Sequence, residues 1–394
     1  MSAPGRSQAL IPEPFKGEGT SVSPQGESRS AQHEGTADTP PSSDADDPIL
    51  IWGAGAIGGT LGAYWARAGV PVLMVDIVAE HVAACRSTGL AIEGPVKQFT
   101  QVVPALTPDE LSGRTQRFSR VVLAVKAQAT EAALAMLAPH LAPGGFVLSA
   151  QNGLNELLIA KRLGAERTMG CFVNFGADWL GPGRILFGNR AAVVVGEIDG
   201  SIQPRTRQMH ALLQIFEPQA VLTDNIWGYL WGKLAYGAML FATALTADSM
   251  ADNFADPRRF VVFDRLAREV MAVAAARGVK PLGFNGFDPA AFAPGAGDDG
   301  ARASIAALAE FNRHTAKTHS GIYRDLAVRK RRTEIHAQIG IIAKLGAEVG
   351  VATPALTRLV ELIGEIEEGR RVLAWDSMQA LIDTCSATRG GTST

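Results

Sequence analysis

From residue 48 onward, short apolar runs alternate with segments whose apolar residues recur at helical spacing. Such runs are typical of strands buried on both faces of a parallel sheet, and the amphipathic segments between them predict covering helices. The predicted strands are residues 49–52, 70–75, 90–93, 101–105, 120–125 and 146–150, and the predicted helices are 59–68, 79–88 and 128–137. This order predicts a doubly wound α/β domain.

The next segment continues with shorter strand-like runs. Residues 168–174, 184–187 and 191–195 are strand-like and are separated by glycine-containing turns. They predict an antiparallel extension of the same sheet. An amphipathic helix over 205–216 and a short strand at 220–222 complete this part. We therefore predict that the first folded domain covers residues 48–224.

The rest of the chain has a helical pattern. Residues 226–247 are almost wholly apolar, and Lys233 is their only charge. A run of this length raises the question of a membrane span. It stands alone, contains three glycines and two threonines and lacks flanking basic clusters, so a buried core helix is the better prediction. Further helices are predicted at 258–277, 302–329 with a break near Ser320, 334–349, 354–367 and 374–385, with a loop at 283–300. This second, all-helical domain is predicted to cover residues 225–388.

The first 47 residues differ in composition from the remainder. They are rich in Ser, Pro, Gly and Thr, and Phe15 is their only aromatic residue. A segment of this kind buries too little apolar surface to offset its ordering entropy, so we predict a disordered tail. It lacks the basic start and apolar run of a secretory signal.

Charge and cysteine content exclude several classes of function. The 394 residues carry 37 Lys and Arg against 39 Asp and Glu, a formal charge of −2. This balance argues against a nucleic-acid partner. The three widely separated cysteines fit neither a disulfide framework nor a Cys-x-x-Cys metal site, so we predict no metal and a reducing, cytoplasmic location.

The turn after the first predicted strand matches the pattern GxGxxG. It is formed by Gly53, Ala54, Gly55, Ala56, Ile57 and Gly58. In this context the first glycine permits a tight turn, the second lets a pyrophosphate approach the helix N-terminus, and the third allows close packing of helix and strand. The preceding strand and the following helix make dinucleotide binding the favoured interpretation over a plain glycine-rich turn.

An acidic residue ends the second predicted strand. Asp76 follows Gly58 by 18 residues, where a carboxylate can bind the ribose hydroxyls and would repel a 2′-phosphate. The sequence thus favours NAD over NADP. The alternative is that Asp76 only caps the helix that starts near Ala79.

Three polar residues stand where ligands bind in such folds. Lys126 and Asn152 follow predicted strands, at the carboxyl edge of the sheet, although ordinary loop polarity would also explain them. Lys233 needs a partner or a cleft, because burying a lone ammonium is costly, and such a lysine is a candidate acid–base group. The alternative for Lys233 is a side chain that snorkels to solvent.

Several stretches together resemble the ketopantoate reductase (2-dehydropantoate 2-reductase) family. They are Ile51 to Gly59, Val125-Lys126-Ala127, Gln151 to Leu154, Trp231 to Ala235 and Arg332-Thr333-Glu334-Ile335. The resemblance implies a Rossmann-type dinucleotide-binding domain, an all-α C-terminal domain like that of 6-phosphogluconate dehydrogenase, and substrate in the cleft between them. It also implies a role in pantothenate biosynthesis.

The resemblance further implies site residues. By motif, Lys233 corresponds to the catalytic lysine, Glu334 to the glutamate of its motif, Asn152 to the amide near the nicotinamide and Lys126 to a residue beside the cofactor. Ser320 falls where the family has a serine for the substrate carboxylate, with Asn312 or His319 as helpers.

The chain departs from the family pattern at three positions that would line the pocket. Gly237 and Ile339 stand where asparagines are expected, and His336 replaces an aspartate. These changes put ketopantoate itself in question and leave the redox chemistry intact.

We therefore predict reversible hydride transfer between NAD(P)(H) and a small 2-keto or 2-hydroxy acid, with Lys233 donating the proton and Glu334 orienting it or binding a substrate hydroxyl. One alternative is an NAD-dependent dehydrogenase of another hydroxy acid or an alcohol, whose pocket uses His314, His319 and His336. Another is a non-catalytic NAD-binding sensor. The partners expected are a small-molecule substrate and a second copy in a homodimer, with no nucleic acid and no membrane.

Overall fold

A computed structural model describes residues 47–284, 286–315 and 317–387. The tail predicted from the composition lies outside the described residues up to position 46. Asp47, the first residue described, accepts a hydrogen bond from the Ser119 amide at 3.1 Å.

Twelve strands lie within the described residues, all of them before residue 223. They are β1 Ile49–Trp52, β2 Val72–Val75, β3 Leu90–Glu93, β4 Phe99–Gln101, β5 Ala105–Leu106, β6 Phe118–Leu123, β7 Leu141–Ser149, β8 Thr168–Val173, β9 Gly176–Gly181, β10 Arg184–Asn189, β11 Val193–Glu197 and β12 Val221–Leu222. Eight form one sheet in the order β12-β11-β8-β7-β6-β1-β2-β5. Its pairs are parallel except β8 with β11, which is antiparallel as the sequence predicts.

The four other strands form a second, smaller sheet, in the order β4-β3-β10-β9. The prediction that β10 extends the main sheet is wrong, because β10 pairs in parallel with β3 and antiparallel with β9. The single strand predicted over 101–105 is replaced by β4 and β5, and β9 was not predicted. Of the two partners of β10, β9 directly precedes it but β3 is far away in the sequence, so no local pattern reveals the pairing with β3.

The helices cover the main sheet and then build the second half of the chain. They are α1 Ala56–Arg67, α2 Ala79–Arg86, α3 Pro108–Ser112, α4 Thr130–Leu137, α5 Asn155–Leu163, α6 Pro204–Phe216, α7 Ile226–Thr243, α8 Met250–Ala255, α9 Phe260–Ala276, α10 Asp298–Arg313, α11 Gly321–Tyr323, α12 Ile341–Glu348, α13 Pro354–Glu367 and α14 Trp375–Ala387. Two π-helical segments, Arg324–Val328 and His336–Gly340, flank the basic run at 329–332. Thus α10 begins inside the predicted 283–300 loop, and α5 was not predicted.

Alternation along β1 distributes its side chains between two cores. Ile49 and Ile51 pack into the core that includes α1 and α6, and Leu50 and Trp52 pack on the opposite face with α4. A third core joins α7 to α9 and α13 and takes in Phe172 from β8. The helical half is therefore packed directly against the part of the sheet that contains β8 and β11.

Helix α7 is a buried core helix, as its apolar pattern predicts. Most of its side chains are buried, and they pack on β8, α9 and α13. Within the described residues, no helix combines the length and the apolar character that crossing a membrane requires.

Candidate active site

The glycine-rich turn has the geometry that its sequence predicts. Gly53 has a φ of +100°, and a Cβ there would lie 2.8 Å from the Val125 amide nitrogen. A Cβ on Gly58 would lie 2.1 Å from the Gly53 carbonyl oxygen, so this glycine permits the close approach of α1 to the turn. A Cβ on Gly55 would meet nothing within 4 Å. The turn is thus tightly packed beneath and open above Gly55.

The open side of the turn faces the start of α1. This helix begins at Ala56 with Gly55 as its N-cap, and no side chain caps its first amides. Unpaired N–H groups and the positive end of the helix dipole attract a phosphate. The turn therefore fits the pyrophosphate of a dinucleotide.

Asp76 lies beside this turn. One carboxylate oxygen accepts a hydrogen bond from the Ala54 amide at 2.9 Å, and the other accepts from the Val78 amide at 3.0 Å. Asp76 thus holds the chain just before α2 and also braces the turn, but it does not cap α2, whose N-cap is Val78 without a side-chain hydrogen bond. Each oxygen has a second lone pair with which to accept a bond from a ligand hydroxyl.

His81 supports the turn from below, and it was missed in the sequence. Its Nδ1 accepts a hydrogen bond from the Gly183 amide at 2.9 Å, so Nε2 carries the proton and donates to the Ala54 carbonyl at 2.8 Å. The side chain is fully buried. His81 links the turn to the β9–β10 hairpin, a contact between distant segments that no local pattern indicates.

Two glycines set the position of the helix that carries Lys233. Asn225 caps α7 by accepting a hydrogen bond from the Gly228 amide at 2.9 Å. A Cβ on Gly232 would lie 2.1 Å from the Leu282 carbonyl oxygen, and one on Gly228 would lie 2.7 Å from the Lys280 oxygen. The chain at 280–282 therefore lies directly against α7, next to the turn that carries Lys233.

Lys233 reaches across the junction between the two halves of the chain. Its Nζ donates to Asn152 Oδ1 at 2.7 Å and to the Val173 carbonyl oxygen, and it lies 5.2 Å from the centre of the Phe172 ring. These bonds use two of the three ammonium donors. The third is left for another acceptor.

The surroundings of Lys233 shift its protonation equilibrium. Burial lowers the pKa of Lys233 to about 8, because it removes water from the charged form, and the negative charge of Glu334 opposes this effect. A lysine that titrates near neutrality is suited to giving and taking a proton.

The loop that carries Asn152 is held by its neighbours. Gln151 donates to the Val125 carbonyl oxygen and to the Thr130 hydroxyl, both at 2.8 Å. Asn155 donates to the Asn152 carbonyl oxygen at 2.8 Å. These bonds fix the loop beyond β7 beside the loop beyond β6, which is where an open parallel sheet binds ligands.

Glu334 makes a second contact between the two halves of the chain. Its carboxylate accepts a hydrogen bond from the Ala127 amide at 2.8 Å and lies 3.4 Å from Lys126 Nζ. Lys126 also lies 3.5 Å from Asp325. Among the hydrogen bonds of the described residues, none joins Glu334 to Lys233. The influence of Glu334 on Lys233 therefore passes through its charge.

The predicted substrate anchors have local partners. Ser320 is buried, caps α11 and accepts a hydrogen bond from the Tyr323 amide at 3.2 Å. Asn312 is buried on α10 and donates to the Leu308 carbonyl oxygen at 2.8 Å. His319 bonds to the Ala247 carbonyl oxygen at 3.0 Å.

The two other histidines of the alternative pocket are exposed. His314 pairs with Glu310 at 2.8 Å on the surface of α10. His336 begins a π-helical segment and is exposed. Within the described part of the chain, no three His, Cys, Asp or Glu side chains are grouped so that they could hold a metal ion.

A charged cluster that the sequence did not predict lies near the cleft. Asp178 of β9 binds Arg324 through one carboxylate oxygen and Arg329 through the other, the latter at 3.2 Å. Asp325 pairs with Arg329 at 3.0 Å and with Arg331 at 2.9 Å. Part of the basic run at 329–332 is therefore engaged in ion pairs.

Comparisons with known proteins agree with this architecture. The family model described as ketopantoate reductase PanE/ApbA matches residues 49–200, and the model of its C-terminal part matches residues 225–367. A 2-dehydropantoate 2-reductase of Mesorhizobium japonicum is 28% identical over 342 residues, which cover 80% of this chain and 96% of that protein.

Solved structures have the same fold. A PanE/ApbA family ketopantoate reductase from Ralstonia eutropha is 26% identical, with a TM-score of 0.68 over 82% of this chain and 99% of that one. A ternary complex of D-mandelate dehydrogenase with NADH and anilino(oxo)acetate is 24% identical, with a TM-score of 0.71 over the same shares of the two chains. The second likeness concerns the fold alone.

The protein is an oxidoreductase that uses a nicotinamide dinucleotide. This class follows from the α/β domain with its glycine turn, from the helical domain and from these relatives. Within that class, the chain belongs to the ketopantoate reductase family. The predictions of the family and of the fold class are thereby confirmed.

Proposed function

We propose that the protein reduces a small 2-keto acid to the 2-hydroxy acid with NADH, and catalyses the reverse reaction. The observation that supports this most directly is the placement of Lys233. Its ammonium donates to Asn152 and Val173, and its third N–H remains able to donate to a substrate. The substrate would lie in the cleft between the domain of residues 48–224 and that of residues 225–388.

The roles of the side chains follow from this proposal. When a carbonyl is reduced, negative charge grows on its oxygen, and a fixed ammonium stabilises that charge more in the transition state than in the ground state. Lys233 donates a hydrogen bond to this oxygen and then a proton. Asn152 and Val173 keep the ammonium in place, and the charge of Glu334 keeps it protonated.

The glycine turn, Asp76, Lys126 and Asn152 would hold the cofactor, which supplies the hydride when bound. The open face above Gly55 and the uncapped start of α1 fit its pyrophosphate. A carboxylate that braces the turn fits ribose hydroxyls and disfavours an added phosphate. We therefore propose NAD rather than NADP.

The substrate is 2-dehydropantoate or a related acid. One observation favours a related acid with a larger side chain: Gly237 lies one helical turn after Lys233, and a Cβ there would meet nothing within 4 Å. The space beside the lysine is thus open where the family pattern expects an asparagine. An alcohol dehydrogenase with a histidine pocket is less well supported, because His314 and His336 are exposed.

A panel of 2-keto acids tested with NADH and with NADPH checks the proposal. We expect reduction of at least one acid, with higher kcat/KM for NADH than for NADPH. The variant Lys233→Ala should lower kcat by at least about a hundredfold, the low end for an acid–base group. The matched control is Lys97→Ala, which alters an exposed lysine in the smaller sheet's hairpin. Unchanged kcat in Lys233→Ala contradicts the mechanism.

Homodimer formation and a cytoplasmic location stay predictions. The three cysteines are free and buried, which is consistent with a reducing compartment. Sedimentation of the purified protein checks the dimer.

A further inference from the structure

The basic run at 329–332 lies where the two halves of the chain meet. Arg329, at its start, pairs with Asp178 of β9 at 3.2 Å. Glu334, two residues after its end, accepts a hydrogen bond at 2.8 Å from the Ala127 amide, in the loop beyond β6. Both contacts reach the first half of the chain, and the second is at the carboxyl edge of the main sheet, where an open parallel sheet binds ligands. The run therefore borders the mouth of the cleft.

The charges around this run form two layers. The carboxylates lie inside, since the exposed fraction of the side chain is 8% in Asp325, 10% in Glu334 and 17% in Asp178. Their basic partners lie outside, and the exposed fraction is 49% in both Lys126 and Arg331. Because the acids are covered and the bases reach the solvent, the surface here is positive.

Two bases of the run add to this surface without a carboxylate of their own. Lys330 and Arg332 are exposed, and within the described residues neither makes an ion pair or a side-chain hydrogen bond. Glu367 also contacts this stretch, but its carboxylate accepts from the amide and the hydroxyl of Thr333. The charges of Lys330 and Arg332 therefore act on the solvent in front of the cleft, over a distance of about 10 Å at an ionic strength of about 0.1 M.

The backbone at Lys330 adopts a conformation that a lysine rarely takes. Its φ is +51°, and no other residue except glycine has a positive φ in the described part of the chain. This left-handed region is strained for a residue with a Cβ, and strain of this kind is concentrated at functional sites. The turn lets Arg329 and Arg331 reach inward to the same carboxylate, that of Asp325, and leaves Lys330 exposed between them.

We propose that Lys330 and Arg332 form a capture surface for the dinucleotide, which attracts its negative pyrophosphate towards the cleft and speeds its association. This rests on the proposed function only in so far as the cofactor binds at the glycine turn. The chain as a whole carries a formal charge of −2, so an anionic ligand gains nothing from the net charge of the protein. A positive surface at a cleft raises association rates by about 10- to 1,000-fold.

The kinetic signature of capture differs from that of a binding contact. A residue that holds the bound nucleotide acts mainly on the dissociation rate constant koff, whereas a charge that attracts it from a distance acts on the association rate constant kon. The attraction is also screened by salt. Loss of Lys330 and Arg332 should therefore lower kon at low salt and leave koff nearly unchanged.

Stopped-flow measurement of NADH binding tests this role. Wild type, the double variant Lys330→Glu/Arg332→Glu and the control Lys97→Glu/Lys161→Glu are mixed with NADH in the absence of substrate, and binding is followed by the fluorescence of the nucleotide. The control reverses two exposed lysines, one in the β3–β4 turn and one in the last turn of α5. At low salt we expect kon to be about tenfold lower in the double variant and within about twofold of wild type in the control.

Salt and a neutral variant separate capture from damage to the fold. At an ionic strength of about 0.5 M, kon of the double variant and of wild type should converge, because screening removes the attraction. Lys330→Gly/Arg332→Gln removes both charges and relieves the backbone at 330, and it should lower kon by a smaller factor than the charge reversal. Equal kon in all variants at low salt, a difference that salt does not reduce, or an effect confined to koff overturns the proposal.

The measurement does not depend on turnover. The same rates are measured with NADPH, whose added phosphate should make kon depend more steeply on the charges of Lys330 and Arg332. If no keto acid is reduced but kon follows these charges, the proposed reaction fails and the capture surface stands. If keto acids are reduced and kon is the same in every variant, the capture surface fails and the proposed reaction stands.

Discussion

At the residue scale, the proposed mechanism makes the rate depend on the protonation state of Lys233. Reduction needs the ammonium form, and burial lowers the pKa of this group to about 8. We expect kcat/KM for reduction to be level below this value and to fall as pH rises through about 8. Oxidation of the hydroxy acid needs the neutral amine and should rise over the same range. Rate profiles in both directions check this, and parallel profiles would contradict it.

Glu334 offers a sharper test, since it acts on Lys233 through its charge. The carboxylate raises the pKa of Lys233 against the effect of burial. In Glu334→Gln, the basic limb of the reduction profile should therefore move to lower pH. The control Glu310→Gln changes an exposed acid on α10 and should leave the limb in place. A lower rate with an unmoved limb would mean that Glu334 acts only through its bonds to Ala127 and Lys126.

Individual residues differ in how far the sequence reveals them. A lone charge on an apolar helix identified Lys233, and a strand end identified Asn152, because both signals are local. His81 gave no such signal. The partners of His81 are more than 20 and 100 positions away, at Ala54 and Gly183.

At the element scale, the two glycines of α7 that touch the chain at 280–282 fix the helix. In Gly232→Ala, the new methyl group would clash with the Leu282 carbonyl oxygen, and overpacking of this kind costs about 1–3 kcal/mol. Urea unfolding should show this loss in the free energy of unfolding, together with a lower kcat as Lys233 is displaced.

Gly237 provides the matched control on the same helix. A methyl group there meets nothing within 4 Å, and alanine exceeds glycine in helix propensity by up to about 1 kcal/mol. Gly237→Ala should therefore unfold at equal or higher urea concentration than wild type. Similar losses of stability in both variants would show that the contact with residues 280–282 is not the cause.

Elements were predictable where their pattern is local. The strands of the main sheet follow from continuous apolar runs, and the helices from their periodicity. Strand β9 was missed, because its residues are half exposed and, among the strands of the described residues, it pairs with β10 alone. The register of β10 with β3 joins segments that are far apart in the chain, and single-strand patterns do not contain such information.

At the scale of the whole molecule, ion pairs join the smaller sheet to the helical half. Asp178 on β9 binds Arg324 and Arg329. In Asp178→Asn, hydrogen exchange of the backbone amides should become faster both at 176–181 and at 324–331, because the ion pairs that join the two segments are weakened. The free energy of unfolding should change by no more than about 1 kcal/mol, since these pairs are partly exposed.

The control for this exchange experiment is Glu93→Gln. It weakens an ion pair with Arg184 that lies wholly within the smaller sheet. Faster exchange at 324–331 in this control, or a change in Asp178→Asn that is confined to one of the two segments, would contradict the proposed tie.

The bracing of the glycine turn by His81 and Asp76 affects how the cofactor is received. Without a bound nucleotide, both ring nitrogens of His81 and both carboxylate oxygens of Asp76 already make hydrogen bonds to backbone groups of the turn or of the neighbouring chain. The glycine turn is thus ordered before the cofactor binds, so little conformational entropy is lost there on binding. Affinity for the dinucleotide should then be set by its dissociation rate, because association does not wait for a conformational change of the turn.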